Sequence, residues 1–452
     1  MNINNTVLTV CSLAAVSAMT AATALGGDLY VSQSTGGSGR SADGSKEKPW
    51  RDLQVALDKA QAGDTVHVAA GNYLGTSDQG FLMMTSPVNI VGGYATDFSA
   101  RDVLVNRTLV QPTTAQNGTS NTRALLSIGD PNKVRSFQAG EGGITIDGVI
   151  FDRGFSNGYH PTKGKPAGVD TGMLINPPGQ GVNGDVDKVI TIAMPLIYLS
   201  NGFGDINVKN CVFANSGNYA IRGTWSMGKI NISNNVFVNN TYAAVEIPGG
   251  GKDGEFSLSI DFGFNTALFN WARNNTLEDM GYGYRYMNNA HSDVHHSIIG
   301  CSTLGGLDHT RVESKADIEK QKQTGAEDNA FFLNKQGDLV LPSGGGKWTL
   351  VWAKGFEDRE ELYKYERNIE LPAEALKGKI NEAYLDGFIA ANNSESVLLD
   401  RGSPANQFRS AFGMNLEASA TTKVDMFANR YPLEDALKLF GAVEGKGAQA
   451  IK

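Results

Sequence analysis

Four charged residues, each ending a similar triplet, stand out in the middle of the chain: Arg222, Glu246, Arg285 and Asp308. The middle residue of each triplet is apolar or aromatic. Because side chains alternate along a strand, we expect the middle residues to point inward and the charged residues to stand outward in one column. Arginine grips a carboxylate through two hydrogen bonds, and acidic side chains are common Ca²⁺ ligands. Such a column suits binding of an acidic sugar chain; alternatively, its charges simply pair with one another.

An internal repeat sets the spacing of these residues. INVKNCVFANSGNYAIRG begins at Ile206 and INISNNVFVNNTYAAVEI begins at Ile230, 24 residues later. In both segments aliphatic and polar residues alternate, and an Asn precedes a Val-Phe pair. A period in the low twenties with strand alternation predicts a coil of stacked strands. The bends of successive coils are expected at Asn210, Asn234, Asn274, His296 and Asp328.

The repeat predicts a solenoid of parallel strands. Each coil would bury its alternate aliphatic side chains against those of its neighbours, with the coils about 4.8 Å apart. The recurring Asn would form an inward ladder of amides that bond to one another and to the bent backbone. His296 occupies a ladder position, so we expect an inward, hydrogen-bonded ring. The lack of alternating helices argues against a Rossmann fold or an α/β barrel.

The amino-terminal region predicts a helix that covers the first coil. Leu53, Ala56, Leu57 and Ala60 fall on one helical face, and Gly63-Asp64 ends the helix. The open end of a solenoid would otherwise expose apolar surface and unpaired backbone, so a cap is expected there.

Composition limits the partners and the location. The 452-residue chain carries a net charge of −8 without a basic block, which argues against nucleic acid as the partner. Residues 7–25 are apolar or small and predict a secretory signal, hence a secreted, periplasmic or cell-surface protein without a spanning segment after cleavage. An uncleaved membrane anchor is the alternative. Cys211 and Cys301 lie in different coils and are predicted to be free, buried thiols, and no Cys/His pair has zinc-finger spacing.

Segments near both ends carry a resemblance to a known superfamily. Gly63-Asp64-Thr65-Val66, Ala69-Ala70-Gly71-Asn72-Tyr73 and Gly402-Ser403-Pro404-Ala405 resemble segments of secreted proteins of the pectate lyase-like superfamily. The resemblance implies an all-β fold, a right-handed parallel β-helix with an amino-terminal capping helix and an irregular carboxyl-terminal cap. That fold hosts lyases, hydrolases, epimerases and proteins without activity.

The resulting division of the chain has four parts. They are a signal peptide (1–26), an amino-terminal strand and capping helix (27–63), the parallel β-helix (64–345) and a carboxyl-terminal cap or extension (346–452). Two charged segments break the repeat. Residues 313–327 are predicted to be helical, and residues 347–379 are predicted to be part of the cap or an element that covers a substrate or binds a partner.

A second resemblance implies a particular chemistry. VEIPGGGK from Val245 to Lys252, followed by GYGYRYMNN and GGLDHTRV, is similar to polysaccharide lyase family 6, the alginate lyases and chondroitinase B. It implies that Glu246 binds Ca²⁺, that Lys252 is the base and that Arg285 is the acid. β-Elimination removes a proton next to a carboxylate, so it needs a cation to neutralise that carboxylate and a base to take the proton. The chain departs from the family pattern at Ala244 and Tyr286, where the family has Glu and His.

The remaining predictions complete this site. Asp308 is a second expected Ca²⁺ ligand, and His291 and His309 are alternative bases. The residues expected to bind substrate are Arg222, Tyr284 and Tyr286. The leading hypothesis is an exported, Ca²⁺-assisted lyase that acts on acidic polysaccharide. The alternatives are a non-catalytic carbohydrate-binding or cell-surface structural β-helix, and a glycoside hydrolase that pairs Glu246 with Asp308 or Asp279.

Overall fold

The chain winds through three sheets in turn, and each strand pairs with the equivalent strand of the next coil. The computed structural model describes residues 26–73, 80–111, 124–130, 132, 137, 142–153, 194–250, 258–270, 281–302, 305–310, 324–334, 337–344, 347–359, 362, 364–385 and 431–451. We name the sheets A, B and C. Successive coils visit them in the order C, A, B, and the pairings are parallel apart from β24 with β25, the strands Gly337–Gly344 and Lys347–Val351 of sheet C. The predicted right-handed parallel β-helix is confirmed.

The strands are short in all three sheets. Sheet A contains β1 (Asp28–Val31), β2 (Thr65–Ala69), β5 (Asn89–Tyr94), β8 (Ile144–Asp147), β11 (Ile206–Lys209), the second part of β13 (Ile221–Ser233), β16 (Leu258–Gly263), β19 (Ala290–His295) and β22 (Gly325–Glu327). Sheet B contains β3 (Gly71–Tyr73), β6 (Thr108–Val110), β9 (Val149–Asp152), β12 (Val212–Ala214), β14 (Val236–Val238), β17 (Thr266–Leu268), β20 (Ile298–Gly300), β23 (Ala330–Phe332) and β26 (Ile369–Glu370). Sheet C contains β4 (Gly80–Met84), β7 (Ala124–Ile128), β10 (Ile197–Phe203), the first part of β13, β15 (Val245–Glu246), β18 (Tyr282–Arg285), β21 (Gly305–Asp308), β24 and β25.

Helices are few and short. The described residues include the α-helices α1 (Leu53–Lys59) and α2 (Leu433–Leu437), residues 382–385 are also α-helical, and 3₁₀ turns occur at Gly39–Ser41, Ala353–Asp358 and Ala373–Leu376. The predicted helix α1 is confirmed: Leu53, Ala56 and Leu57 are buried, and the Asp52 side chain caps its first turn by accepting from the Gln54 amide. None of the helices in these ranges is long and apolar enough to cross a membrane.

Aligned apolar side chains fill the interior of the coil. Val208, Ile232, Phe262 and Val294 occupy equivalent positions on sheet A and are buried. The rings that sheet B contributes are stacked, with centroids 5.3 Å apart for Phe151 and Phe213 and 4.8 Å apart for Phe213 and Phe237. The repeat therefore places like residues on like residues, and burial of these apolar columns stabilises the stack.

The bend between sheets A and B contains the predicted ladder, one residue later than expected. The residues with buried, inward side chains are Asn235, Asn265, Ser297 and Asn329. The backbone N–H of Asn235 donates to Asn265 Oδ1 at 2.9 Å, and the backbone N–H of Asn265 donates to Ser297 Oγ at 3.1 Å. The residue just before each inward side chain takes a left-handed backbone conformation, with φ of 57° at Asn234 and 49° at His296. Asparagine is tolerated there better than most residues, which explains the Asn signal in the repeat.

Two sequence predictions about these bends are wrong. Phe264, with φ of 55°, takes the bend position predicted for Asn274, which lies outside the described residues. The intervals from Asn235 to Asn265 (30 residues) and from Asn265 to Ser297 (32 residues) are longer than the 24 residues between the two sequence repeats. His296 does not point inward, because Ser297 holds the inward position. The His296 ring lies outside and stacks on Phe264, with centroids 4.7 Å apart.

The carboxyl-terminal segment lies along the side of the coil. Outward apolar residues of sheet B, including Ile150, Val212, Val236 and Leu268, form one buried cluster with Tyr431, Leu437, Leu439 and Phe440. Residues after α2 then cross several coils: Ala448 N donates to Thr266 Oγ1 at 2.9 Å, and Gln449 N donates to Asn234 Oδ1 at 2.5 Å. In the described residues, sheet B is therefore covered on both sides by apolar side chains.

Other predictions have mixed outcomes. Cys211 and Cys301 are free and buried, as predicted. The predicted helix 313–327 is wrong at its end, since Gly325–Glu327 is strand β22, and residues 313–323 lie outside the described residues. Of the predicted signal peptide (1–26), residues 1–25 also lie outside them.

The ladder predicts a large stability effect at Asn265. Replacing Asn265 by Ala removes the acceptor of the Asn235 amide and the donor to Ile232 O, which lies 2.8 Å from Asn265 Nδ2. Each buried group left unpaired costs about 1–3 kcal/mol, so the free energy of unfolding should fall by several kcal/mol in urea titrations. Asn231→Ala, on the outer side of sheet A, is the control and should change it by less than about 0.5 kcal/mol. Equal effects of the two substitutions would contradict the ladder.

Candidate functional site

The four charged residues singled out in the sequence lie in one column on sheet C, as predicted. Arg222 pairs in register with Glu246, Glu246 with Arg285, and Arg285 with Asp308. Each residue comes from a different coil, so parallel stacking alone brings them together. We call these four residues the charged column.

The charged column forms a continuous chain of ion pairs. Arg222 Nε donates to Glu246 Oε1 at 2.8 Å, and Arg285 Nη1 donates to Glu246 Oε2 at 2.7 Å. Arg285 Nε donates to Asp308 Oδ2 at 2.5 Å. The second oxygen of Asp308 accepts from Thr310 N and Oγ1 at 2.8 and 2.6 Å. Positive and negative residues therefore alternate and bond to one another along the whole column.

Burial separates one end of the column from the rest. The side chains of Arg285 and Asp308 are 0% exposed and that of Glu246 is 6% exposed, whereas the Arg222 side chain is 45% exposed. Tyrosines surround Arg285: its Nη1 donates to the Tyr219 hydroxyl at 2.7 Å, and its guanidinium lies 5.0 Å from the Tyr282 ring centroid. Glu246, Arg285 and Asp308 of the predicted column are thus buried, and Arg222 is the member that faces solvent.

The pKa shifts agree with a fully ionised network. Burial alone would raise the pKa of Glu246, but the positive charges of Arg285 and Arg222 outweigh it and lower that pKa. Burial alone would lower the pKa of Arg285, but Asp308, Tyr219 and Glu246 together raise it well above its usual value. A buried charge is tolerated only with partners of this kind.

The column does not fit the predicted Ca²⁺ site. Both carboxylate oxygens of Glu246 accept from arginines, and both oxygens of Asp308 accept from Arg285 or Thr310. The Arg285 guanidinium lies between the two carboxylates, where it repels a cation. Elsewhere in the described ranges no three His, Cys, Asp or Glu side chains are grouped to hold a metal ion. Glu246 and Asp308 are therefore structural partners of Arg285 in this arrangement.

The predicted substrate-binding tyrosines lie in the interior. Tyr284 is 1% exposed, and its hydroxyl lies 3.0 Å from Ser292 Oγ. Tyr286 is 0% exposed, and its hydroxyl donates to Gly325 O at 2.8 Å. Neither ring can contact a ligand outside the coil, so these two predictions are wrong. Of the predicted substrate-binding residues, Arg222 keeps a suitable position.

The predicted bases are dispersed. His309 is 0% exposed with no partner for either ring nitrogen among the described residues, and burial lowers its pKa to about 4. His291 lies on sheet A opposite Ser259, away from the charged column. Lys252 and Asp279 fall outside the described residues. The structure thus brings Arg222, Glu246, Arg285 and Asp308 together without either histidine.

Sequence reasoning missed the aromatic residues around the column. Tyr198 pairs in register with Arg222 and is partly exposed, so it extends the column by one coil. Extending the triplet alignment back to Leu196-Ile197-Tyr198 would have identified it. The covering residues Tyr219, which precedes β13, and Tyr282, the first residue of β18, gave no such signal, because alternation along a strand does not show which side chains cover an outward residue.

Comparison with known proteins adds information on the fold. Residues 35–130 match the family described as "Protein of unknown function (DUF1565)", a segment too short to assign the chain to a family. No curated protein matches the chain. Among solved structures it resembles "Crystal structure of pectate lyase Pel9A", with 12% identity, a TM-score of 0.38 and coverage of 76% of each chain. That score is too low to bear on activity. The parallel β-helix is confirmed by the strand pairings, and the resemblance to polysaccharide lyase family 6 stays a prediction.

The charged column predicts unequal effects of its two arginines on stability. Arg285→Leu leaves the buried carboxylates of Glu246 and Asp308 without their shared cation and should lower the free energy of unfolding by about 3–5 kcal/mol. Arg222→Gln removes a half-exposed pair and should cost less than about 1 kcal/mol. Denaturant unfolding of both variants measures this, and losses of similar size would contradict the network.

His309 predicts a specific pH dependence of stability. Its folded-state pKa of about 4 lies below the ordinary value of 6.5, so acid favours the unfolded chain. The contribution of neutral His309 to the free energy of unfolding is fully present above pH 6.5 and is lost as the pH falls toward 4. This contribution amounts to up to about 3 kcal/mol. In His309→Phe the free energy of unfolding should decline less over that window. Parallel pH profiles for the two proteins would show that His309 is not buried as described.

Proposed function

We propose that this β-helix protein binds an acidic polysaccharide on the outer surface of sheet C, with Arg222 as the carboxylate-binding residue. The supporting observation is that Arg222 is the half-exposed end of an otherwise buried ion-pair column. Its Nε is bonded to Glu246, and in the described part of the chain its two terminal nitrogens have no hydrogen-bond partner. Those two nitrogens present the pair of donors that a carboxylate accepts.

The surroundings of Arg222 hold its side chain in place before a ligand arrives. Glu246 anchors Nε, and Arg285 in turn holds Glu246. The Arg222 guanidinium also lies over the Tyr219 ring, 4.9 Å from its centroid. A side chain ordered in advance loses little conformational entropy on binding, which favours affinity for a charged group.

An aromatic neighbour favours a sugar over a simple anion. Tyr198 lies beside Arg222 on the adjacent coil, about 4.8 Å away along the axis, and is partly exposed. Its ring offers apolar surface for a sugar ring while Arg222 takes the carboxylate. Export by the predicted signal in residues 7–25 belongs to this proposal, since it would bring the protein to polysaccharide outside the cell.

A lyase is the second candidate, and one observation favours it. The chain leaves sheet C at Gly250, whose amide donates to Trp225 O at 3.0 Å. Trp225 belongs to β13, the strand that carries Arg222, and Lys252, the base implied by the family resemblance, follows Gly250 by two residues in the sequence and lies outside the described residues. Arg222 would neutralise the carboxylate and Lys252 would take the proton from C5, so that the C4–C5 double bond forms as the glycosidic C4–O bond breaks and the lysine ammonium returns the proton to the leaving oxygen. Arg285 is too buried to act as the acid in this arrangement.

Binding of an acidic polymer tests the leading proposal. Wild-type protein and Arg222→Gln are titrated calorimetrically with polygalacturonate and with a neutral polysaccharide of equal length. The wild type should prefer the acidic polymer, less so at high salt, and Arg222→Gln should weaken that binding at least about tenfold, because a charge-assisted pair is lost. Arg222→Lys should be intermediate, since an ammonium lacks the two-pronged geometry.

The matched control is Lys229→Gln, which removes an exposed cation from the same strand where it runs in sheet A. It should bind as the wild type does. Equal binding of neutral and acidic polymer, or unchanged binding by Arg222→Gln, would refute the proposal. Appearance of the near-ultraviolet absorbance of an unsaturated uronate, abolished in Lys252→Ala, would add lyase activity to binding.

A further inference from the structure

Residues 446–449 form a strap along the bend between sheets A and B, with each residue bonded to a different coil. The side chain of Lys446 and the three backbone N–H groups that follow it donate, in chain order, to Asp328 O, His296 O at 2.7 Å, Thr266 Oγ1 at 2.9 Å and Asn234 Oδ1 at 2.5 Å. These four coils are consecutive, so the strap ties them together. Gly447 has φ of 67°, and a Cβ added there would lie 2.5 Å from Thr266 Oγ1, so glycine suits this position.

A pair of histidines lies beside the strap. The Nδ1 atoms of His295 and His296 are 3.1 Å apart, and His295 Nε2 lies 3.2 Å from Asp261 Oδ1. A contact between two ring nitrogens needs a hydrogen on one of them and a lone pair on the other. The pair can therefore keep this contact when it is neutral or carries one added proton. With two added protons, both facing nitrogens carry hydrogens and the contact is lost.

Charged groups from several elements face the two rings. They are Asp261 on β16, Asp293 on β19, Glu327 and Asp328 at the end of β22, and Lys446 of the strap. Two further cations pair with these carboxylates: Lys364 with Asp293 and Glu327, and Arg367 with Glu327 and Asp328.

The two histidines differ in their affinity for a proton. The hydrogen bond to Asp261 raises the pKa of His295, although burial opposes this. Burial lowers the pKa of His296, and the positive charge of Lys446 lowers it further, although Asp328 opposes both. The pair as a whole therefore accepts a first proton readily and resists a second one.

We propose that the His295–His296 pair is a pH-sensitive switch that releases the strap when both rings are protonated. The second proton breaks the contact between the rings and places a positive charge beside Lys446, whose Nζ lies 3.5 Å from Asp328 Oδ1. His296 is both the ring that must move and the residue whose carbonyl accepts from Gly447 N. Release would uncover outward apolar residues of sheet B such as Ile298, which the carboxyl-terminal segment buries. This switch shares no residue with the Arg222 surface and goes beyond the proposed function.

Acid is the condition that releases the strap. Because the folded-state pKa of His296 is lowered, neutral His296 stabilises the docked strap above its ordinary pKa of 6.5, and that contribution is lost as the pH falls through the folded-state value. His295 has the opposite sign: its raised pKa makes the first proton stabilising, and that contribution is lost as the pH rises. The strap should therefore be held most firmly near neutral pH.

Hydrogen exchange of the full-length protein at about pH 7 and about pH 5 tests the proposal. The backbone N–H groups of Gly447, Ala448 and Gln449 are bonded in the docked strap, so their protection reports docking directly. After correction for the intrinsic pH dependence of exchange, their protection should fall at least about tenfold at the lower pH, the effect of one pKa unit. The amides of β16 (Leu258–Gly263) should keep theirs.

His296→Asn separates the switch from other effects of acid. Asparagine adopts the left-handed conformation at the equivalent bend position Asn234, and it keeps the carbonyl that accepts from Gly447 N, but it does not take up a proton. The strap of this variant should stay protected at about pH 5. His67→Gln is the matched control, because it removes a histidine of sheet A that pairs with Asp28 instead, and its strap should be released as in the wild type.

Three outcomes would overturn the proposal. The first is equal strap protection at the two pH values in the wild type, and the second is an equal loss of protection in His296→Asn. The third is a loss of protection in β16 that parallels the loss in the strap, since it would report unfolding of the coil instead of release of the strap.

Discussion

The structure depends on parallel backbone pairing between successive coils, which places each residue beside its counterpart one coil away. Through that register Arg222, Glu246, Arg285 and Asp308, distant in sequence, form one ion-pair column. The same register stacks apolar side chains inside the coil and aligns the buried amides at the bend. Because the column neutralises itself, its buried members satisfy one another's charges, and Arg222 is the member that the proposed ligand can reach.

The three sheets present different outer surfaces as a result. Sheet B is covered by the carboxyl-terminal segment, whose Tyr431, Leu437 and Phe440 share a buried cluster with outward residues of that sheet. Tyr219 and Tyr282 enclose most of the charged column on sheet C. The exposed end of that column, with Tyr198 beside Arg222, remains open. The proposed polymer-binding surface is therefore the part of sheet C around Arg222 and Tyr198 that Tyr219 and Tyr282 do not enclose.

The sequence predicted the fold and the column but not the burial of the column. Strand alternation and the 24-residue interval between Ile206 and Ile230 indicate which side chains share a column, since both follow from local geometry. The burial of Arg285 depends on contacts with Tyr219 and Tyr282 from other parts of the chain, which alternation along one strand does not predict. The sequence therefore predicts Glu246 and Asp308 as metal ligands, whereas in the structure both carboxylates pair with Arg285. The bend at Phe264 was missed because an aromatic residue took a left-handed position typical of Asn or Gly.

A crystal structure of the protein with a bound galacturonate oligomer tests the central claim most directly. The account predicts a sugar carboxylate on the terminal nitrogens of Arg222, a sugar ring against Tyr198, and Arg285 still paired with Glu246 and Asp308. A ligand that contacts Arg285 or the carboxylate of Glu246 directly, with Arg222 turned away, would contradict it.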